Sequence, residues 1–266
     1  MGKKKNANTN IAAHPRNGNG SEVEFFHELE GDPAQPVRKK RYVPKTALTD
    51  ITLSPRQRDL NTLMDLNDIV VVTGPAGTSK TFVGCYYAIK SLRDHLFEKI
   101  IFTKPIQEAG ERLGALPGDV EHKIDPHYES FRISMLKMVK RANLDKLLEN
   151  HVIEFRPLAY MRGATFDNTL MILDEAQNAD IRQIMLFVTR MGRNSKVLIT
   201  GDVHQYDINA NHVAFPFFVE HIVRGVDGVG VFEFKKEDIV RNKILIEITE
   251  RYERIKAENY LPRNKH

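Results

Sequence analysis

The segment with the clearest structural signal reads Asp68-Ile-Val-Val-Val-Thr-Gly-Pro-Ala-Gly-Thr-Ser-Lys-Thr-Phe82. Its four apolar residues, Ile69 to Val72, favour a short buried strand. A turn with two glycines follows, and it leads through Lys80 and Thr81 into a helical pattern. A strand, a glycine-bearing turn and a helix in this order are typical of a phosphate-binding loop, in which backbone N–H groups at a helix N-terminus surround an anion.

Such a loop assigns a role to its polar side chains. We expect Lys80 to add positive charge at the β- and γ-phosphates of a nucleotide, and Thr81 to offer its hydroxyl to Mg²⁺. The predicted nucleotide contacts are Gly74, Pro75, Ala76, Gly77, Thr78, Ser79, Lys80, Thr81 and Phe82.

One position departs from the usual pattern. The pattern G-x-x-x-x-G-K-[ST] places glycine directly before the lysine, and this chain has Ser79 there. Serine is small enough to fit, and it is also a residue that caps helices. The alternative interpretation is an ordinary strand, turn and helix with a solvated lysine, which has to account for Gly74, Gly77, Lys80 and Thr81 at once.

Composition limits the class of protein. A chain of 266 residues is long enough for one α/β domain with appendages. The single cysteine, Cys85, excludes an internal disulfide and suits a reducing compartment, and no apolar run approaches the length that spans a bilayer. We therefore expect a cytoplasmic protein without a membrane segment, in which Cys85 is a small buried hydrophobe.

The formal charge of +4 is concentrated near the N-terminus. Residues 1–50 contain nine Lys and Arg against six Asp and Glu, whereas the remainder contains 30 against 29. Residues 1–50 are expected to form a flexible basic extension, 51–258 the folded domain and 259–266 a tail. The basic run Arg38 to Arg41 is a candidate for phosphate-backbone contact, and a solvated linker explains it equally well.

Within the domain, strands and helices are predicted to alternate. This alternation indicates an α/β fold with a parallel sheet and helices on both faces. Ser54 and Pro55 mark the start of the first helix, and the segment 104–125 is a candidate functional loop. Strands are expected at 69–72, 99–103, 152–157, 170–173, 196–200 and 231–234, and helices at 53–66, 82–92, 133–148, 181–190 and 242–256.

Two further strands end in polar residues. The run Thr169 to Leu173 is followed by Asp174 and Glu175, and the run beginning at Lys196 is followed by Gly201 and Asp202. Parallel strands share a carboxyl edge, so these residues are expected to face the phosphate-binding loop. Asp174 would hold Mg²⁺, and Glu175 would orient and deprotonate a water molecule. Thr200, Asp202 and Gln205 are candidates to sense the γ-phosphate or the water.

These motifs, in this order, resemble the PhoH family of P-loop ATPases, which is related to helicase cores. The resemblance covers about Leu53 to Lys256, and the residues that carry it occur at 74–81, 103–114, 116–119, 161–163, 172–178, 189–192, 201–205 and 238–241. The stretch after Gln205, beginning at Tyr206, lacks the usual family continuation, so that surface is expected to serve a different partner.

The resemblance implies a RecA-like sheet, with the strand that ends at Asp202 inserted between the other two site strands. It implies ATP and Mg²⁺ as cofactors and single-stranded RNA or DNA as a partner. It also implies a homo-oligomeric ring, with a hexamer as one candidate, in which an arginine of one subunit reaches the next subunit's γ-phosphate. The matching arginines are Arg162, Arg190 and Arg241, and Gln57 stands where related helicases read adenine.

Two functions from different classes remain open at this point. The first is an ATPase coupled to single-stranded nucleic acid, with strand contacts proposed at Gln107 to Arg112 and Arg38 to Arg41. The second is a nucleotide-dependent regulatory or assembly protein that hydrolyses ATP weakly because of Ser79. A small-molecule kinase is disfavoured, because Glu175 beside Asp174 is arranged for water.

Overall fold

The computed structural model describes residues 51–105, 120–203 and 214–240, together with residues 244, 247, 248, 251, 252, 254 and 255; for 120–126 the description is confined to the backbone. A parallel sheet of six strands organises these residues. Its strands are β1 (Ile69–Thr73), β2 (Lys99–Thr103), β3 (Ile153–Phe155), β4 (Thr169–Leu173), β5 (Lys196–Gly201) and β6 (Val229–Glu233).

The strand order across the sheet is β3-β2-β4-β5-β1-β6. β5 lies between β1 and β4, as the resemblance implied. The interior strands β1, β2, β4 and β5 are almost wholly buried, which explains why they read as continuous apolar runs. The α/β fold predicted from the alternation of strands and helices is therefore confirmed.

Helices cover both faces of the sheet and enclose two hydrophobic cores. One core packs α1 (Pro55–Leu66), α2 (Lys80–Arg93), α3 (Val120–Leu136) and α4 (Arg141–Glu149) against one face. The other core contains α5 (Ile181–Val188), α6 (Ala214–Phe217) and the π-helical turn Phe218–Val223 that continues α6. Three short 3-10 helices complete the described elements: Leu158–Met161, Ala176–Asn178 and Lys236–Asp238.

Local capping explains where two of the helices begin. Ser54 caps α1 through a reciprocal pair of hydrogen bonds: Gln57 N donates to Ser54 Oγ (3.3 Å), and Ser54 N donates to Gln57 Oε1 (2.9 Å). Pro55 occupies the first turn, as predicted. Asp180 and Gln183 form the same arrangement at α5.

The prediction of one helix over 133–148 is wrong. The chain forms α3 and α4, separated by a turn in which Met138 N donates to Met135 O (2.8 Å). Met138 and Val139 are adjacent and both buried. A turn at this point lets both side chains enter the core, whereas successive positions of a helix face different directions. The start of α3 at Val120 also shortens the predicted loop, whose residues 120–125 are helical.

The helix at 214–223 was not predicted, and the expected C-terminal helix is described only in part. The described residues between 244 and 255 are helical. The expected extension 1–50, the strand-contact candidates at 38–41 and 107–112, and the stretch 206–213 lie outside the described residues.

Candidate functional site

The carboxyl ends of β1, β4 and β5 lie side by side. β1 leads into the loop Gly74 to Ser79, β4 into Asp174, and β5 through Gly201 into Asp202. The sheet therefore brings together three of the segments that the sequence singled out. Crevices at this edge of an open parallel sheet are where such folds bind ligands.

The phosphate-loop candidate is held at two points. At its start Gly74 has φ 142°, and a Cβ there would lie 2.7 Å from both Cβ and O of Phe234, directly after β6. Further on, Val240 N donates to Gly77 O (3.1 Å). Only glycine fits at position 74, because a side chain would collide with the neighbouring backbone.

Ser79 stands at the N-cap of α2 in the left-handed conformation, with φ 68° and ψ 25°. Its side chain makes no capping hydrogen bond to this helix, so the suggestion that serine replaces glycine by capping is wrong. The left-handed backbone explains instead why glycine is the usual residue here, since other residues adopt it at a cost. Serine accommodates the backbone that the pattern requires.

Lys80 folds back over its own loop. Its ammonium donates to the carbonyl oxygens of Gly74 (2.6 Å) and Pro75 (3.0 Å). Thr78 tightens the same turn by donating its hydroxyl to Pro75 O (2.9 Å). The lysine charge is thus held at the mouth of the loop, where an anionic ligand would enter.

Asp174 links the loop to the neighbouring strands. It is 2% exposed. The Thr81 hydroxyl donates to its Oδ2 (2.9 Å), and the Thr200 hydroxyl donates to its Oδ1. A hydroxyl facing a buried carboxylate supplies the hard oxygen ligands that Mg²⁺ prefers, so these residues fit the metal expected here.

Glu175 also has a left-handed backbone conformation, with φ 58° and ψ 41°. It is exposed just beyond the carboxyl end of β4. Gln177, which is buried, connects this carboxylate to the next strand. Its Nε2 donates to Glu175 Oε2 (2.6 Å), and its Oε1 accepts from Asp202 N (3.0 Å). The amide of Gln177 therefore fixes Glu175 relative to the end of β5.

Lys104 was not predicted as a site residue. Its Nζ lies 3.5 Å from Asp174 Oδ2. The sequence could have indicated Lys104 as a site residue, because a charged residue directly follows the apolar strand β2, as Asp174 follows β4. Only the pairing of Thr103 with Leu173 places Lys104 and Asp174 beside one another.

Of the remaining candidates, the structure describes Arg190, Arg162 and Gln57. Arg190 lies near the start of β4, where Phe166 N donates to Arg190 O (3.0 Å) and Arg190 Nη1 donates to Ala164 O (3.2 Å). Arg162 is exposed after the 3-10 helix Leu158–Met161. Gln57 takes part in the cap of α1, and its predicted contact with adenine stays a prediction. Gln205 and Arg241 lie outside the described residues.

Cys85 is fully buried on α2. Burial raises the pKa of its thiol, and the negative charge of Asp174 raises it further against an opposing effect of Lys104. The thiol thus stays protonated at neutral pH and acts as a small hydrophobe, as predicted.

This sheet order, with a glycine-bearing loop between β1 and α2 and a buried aspartate after β4, is the fold of P-loop NTPases. A family model described as PhoH-like protein matches residues 51–253. The chain belongs to this family, which confirms the resemblance noted in the sequence.

Relatives with this description come from several bacteria. The chain is 39% identical over 235 residues to a PhoH-like protein of Bacillus subtilis (strain 168), covering 88% of this chain and 71% of that one. It is 32% identical over 183 residues to Protein PhoH of Escherichia coli (strain K12), covering 68% of this chain and 52% of that one.

Solved structures show a more distant likeness. The large terminase of a thermophilic bacteriophage, solved in complex with ADP, superposes with a TM-score of 0.45 at 14% identity, covering 77% of this chain and 50% of that one. In the part of the chain that the structure describes, no helix is sufficiently long and apolar to cross a membrane.

Proposed function

We propose that the protein binds ATP with Mg²⁺, hydrolyses it, and is stimulated by single-stranded RNA or DNA. The observation that carries the proposal is the 2.9 Å hydrogen bond from the Thr81 hydroxyl to Asp174 Oδ2. It joins the phosphate-loop candidate to the acidic end of β4, so the residues that would hold a nucleotide and its metal meet at one point.

In this proposal the residues have separate tasks. The backbone N–H groups of Gly74 to Ser79 and the ammonium of Lys80 hold the phosphates. Thr81 and Asp174 hold Mg²⁺, which supplies neutralising charge when bound. Glu175 orients the attacking water and accepts its proton, while Gln205 is a candidate to sense the γ-phosphate.

The coupling to nucleic acid is supported by the helicase-like order of the motifs. The described residues form one sheet domain. We propose that copies of the chain assemble into a ring, for which a hexamer is one candidate. Arg162, Arg190 or Arg241 would then act on a neighbouring subunit's γ-phosphate. The buried thiol of Cys85 suits the reducing cytoplasm, where we place the protein.

The direct test is phosphate release from Mg-ATP by the purified protein, alone and with single-stranded RNA or DNA. We expect turnover that nucleic acid stimulates and that Lys80→Ala abolishes. Turnover that is indifferent to every nucleic acid would refute the coupling. Turnover that survives Lys80→Ala would mean that hydrolysis occurs elsewhere or comes from a contaminant.

A second candidate function is favoured by the left-handed Ser79 at φ 68°. A side chain at this position restricts the backbone that approaches the phosphate, which can slow hydrolysis without preventing binding. The protein would then be a nucleotide-dependent regulatory or assembly factor that acts through protein contacts.

Ser79→Gly separates the two functions. If Ser79 restrains a switch, the glycine variant should raise phosphate release about tenfold or more, while ADP affinity changes little. Turnover equal to that of the wild type would show that serine is accommodated without a catalytic cost and would remove the reason for this second function.

A further inference from the structure

Two neighbouring strands of the sheet end in side chains of opposite charge. The register pairs Thr103 of β2 with Leu173 of β4, so Lys104 and Asp174 are the next residues of adjacent parallel strands. Their side chains are 15% and 3% exposed, and Nζ lies 3.5 Å from Oδ2. The pairing of β2 with β4 therefore builds an ion pair into the centre of the proposed metal site.

The position of Lys104 is fixed from a second direction. Its ammonium donates to Ser130 Oγ (2.7 Å) and lies 4.8 Å from the centre of the Phe131 ring, both on α3. A hydroxyl acceptor and an aromatic face are favourable surroundings for a cation. The lysine is thus held by α3 and pointed at Asp174.

The buried carboxylate needs such a partner. Asp174 accepts two hydroxyl hydrogen bonds, from Thr81 and Thr200, but neither donor carries a charge. A buried carboxylate without a nearby cation is strongly destabilising. Lys80, the other lysine of the site, lies over Gly74 and Pro75. Lys104 supplies a cation 3.5 Å from Asp174 Oδ2.

We propose that Lys104 is the internal counter-ion of Asp174 in the metal-free protein and that a divalent cation arriving with nucleotide replaces it. Binding of the metal then has to displace a cation that is already present. Lys104 therefore sets the metal concentration at which the site fills. This inference rests on the proposed function, because it assumes a metal–nucleotide site at Asp174.

The test uses Mn²⁺ as a paramagnetic substitute for Mg²⁺. Its binding to the full chain is measured by electron paramagnetic resonance in the presence of saturating ADP, so hydrolysis is not needed. The variants are Lys104→Met, Lys104→Gln, which retains a hydrogen-bond donor for Ser130, and Lys104→Arg, which retains the charge. Binding of ADP alone checks that each variant is folded.

Lys99→Met is the matched control. Lys99 is the first residue of β2, the strand that Lys104 follows. It has a comparably buried ion pair, with Glu154 at 2.6 Å and side-chain exposures of 19% and 13%. It stands at the opposite end of β2 from Lys104. Removing its charge therefore perturbs the strand without touching Asp174.

We expect Lys104→Met and Lys104→Gln to bind Mn²⁺ about tenfold more tightly than the wild type, because Asp174 no longer has a competing cation. Lys104→Arg and Lys99→Met should stay close to the wild type. Unchanged or weaker Mn²⁺ binding in both uncharged variants, with ADP still bound, would overturn the inference alone. A wild-type protein that binds neither ADP nor Mn²⁺ would overturn the proposed function and this inference together.

Discussion

Two residues of the candidate site have backbone conformations that their side chains disfavour. Among the described residues, six non-glycine residues have positive φ. Four of them are Asn or His, which tolerate this region, and the other two are Ser79 and Glu175. Each such conformation costs about 1 kcal/mol or more and persists only where surrounding structure enforces it. The strain coincides with the start of α2 and the end of β4, the two places proposed to hold phosphate and water.

Gln177 is expected to affect the rate of hydrolysis by holding Glu175 in position. Gln177→Met removes both amide hydrogen bonds at nearly constant volume, so Glu175 loses its fixed position relative to Asp202. We expect the kcat for ATP to fall about 10- to 100-fold while ADP affinity is unchanged, which is typical of losing a partner that orients a catalytic group.

Gln183→Met is the control for this variant. Gln183 belongs to the cap of α5, so its loss should lower stability without lowering kcat. In a Glu175→Gln background, Gln177→Met should cause little further loss of kcat, since its effect runs through the carboxylate. A full additional loss in that background would contradict the assignment.

At the residue scale, the sequence predicted the site residues that belong to a recognisable motif or directly follow a strand. Lys80 and Thr81 follow from the phosphate-loop pattern. Asp174 follows from an apolar run that stops in polar residues, because parallel strands share an edge. Lys104 and Gln177 were not predicted as site residues. Their roles depend on strand register and on side-chain contacts between neighbouring strands, and neither leaves a periodic pattern in the sequence.

At the scale of elements, β2 and β3 are joined by charges as well as by backbone. Glu154 of β3 accepts from Lys99 Nζ (2.6 Å) and from Arg156 Nε (2.7 Å). Burial by itself would raise the pKa of Glu154, but the hydrogen bonds from the two cations outweigh it and hold the pKa below the ordinary value of 4.5. The ionised form is therefore favoured by folding.

The contribution of Glu154 to stability should depend on pH. A carboxyl group whose pKa is lowered by folding stabilises the protein above its unfolded pKa, and this stabilisation is lost as the pH falls through the lower, folded pKa. Glu154→Gln should lower the free energy of unfolding by about 1.5 kcal/mol at pH 7. The difference from the wild type should shrink below about pH 4.5.

Urea unfolding at pH 7, 5, 4 and 3 measures this difference. Glu129→Gln is the control, because Glu129 is exposed on α3, and its effect should be small at every pH. A Glu154→Gln effect of constant size across this range would show that packing, and not the charge, makes the contribution.

Most elements were predicted from the hydrophobic pattern and from residues that begin or end helices and strands. The elements that were predicted wrongly or not predicted have physical causes. The caps at Ser54 and Pro55 placed α1 correctly. The break between α3 and α4 lacks a glycine or proline, since residues 137–140 read Lys-Met-Val-Lys. There the burial of both Met138 and Val139 in the core determines the turn.

The short helix that begins at Ala214 packs Phe215 onto Gly201, where a Cβ would lie 2.4 Å from the ring. This contact between distant parts of the chain is not visible in the sequence.

At the scale of the whole molecule, the position of the arginines bears on assembly. Arg190 lies near the amino ends of the strands, whereas the phosphate-loop candidate lies at their carboxyl ends. A five-residue strand spans about 16 Å, so Arg190 does not reach its own subunit's loop. Any role of Arg190 at a γ-phosphate therefore requires a second copy of the chain.

Mixing inactive variants tests action between subunits. Arg162→Ala and Arg190→Ala are each combined with Lys80→Ala, which lacks the loop lysine but retains both arginines. If an arginine acts on the neighbouring subunit, its variant alone should lose about a thousandfold in kcat. The mixture with Lys80→Ala should then regain measurable turnover. An arginine variant that is inactive alone and unrescued at every mixing ratio would act within its own subunit or in folding.

The two outer strands of the described sheet bear on how copies of this chain can join. β3 has only three residues, and at β6 the carbonyl oxygen of Glu233 already accepts from Arg56 Nη2 (2.5 Å). Short or occupied edges are poor templates for adding another strand. We therefore expect copies to associate through helices and loops, with interfaces made of side chains. Such an assembly can dissociate and reform as ionic strength changes, whereas one continuous sheet shared between subunits would be hard to reverse.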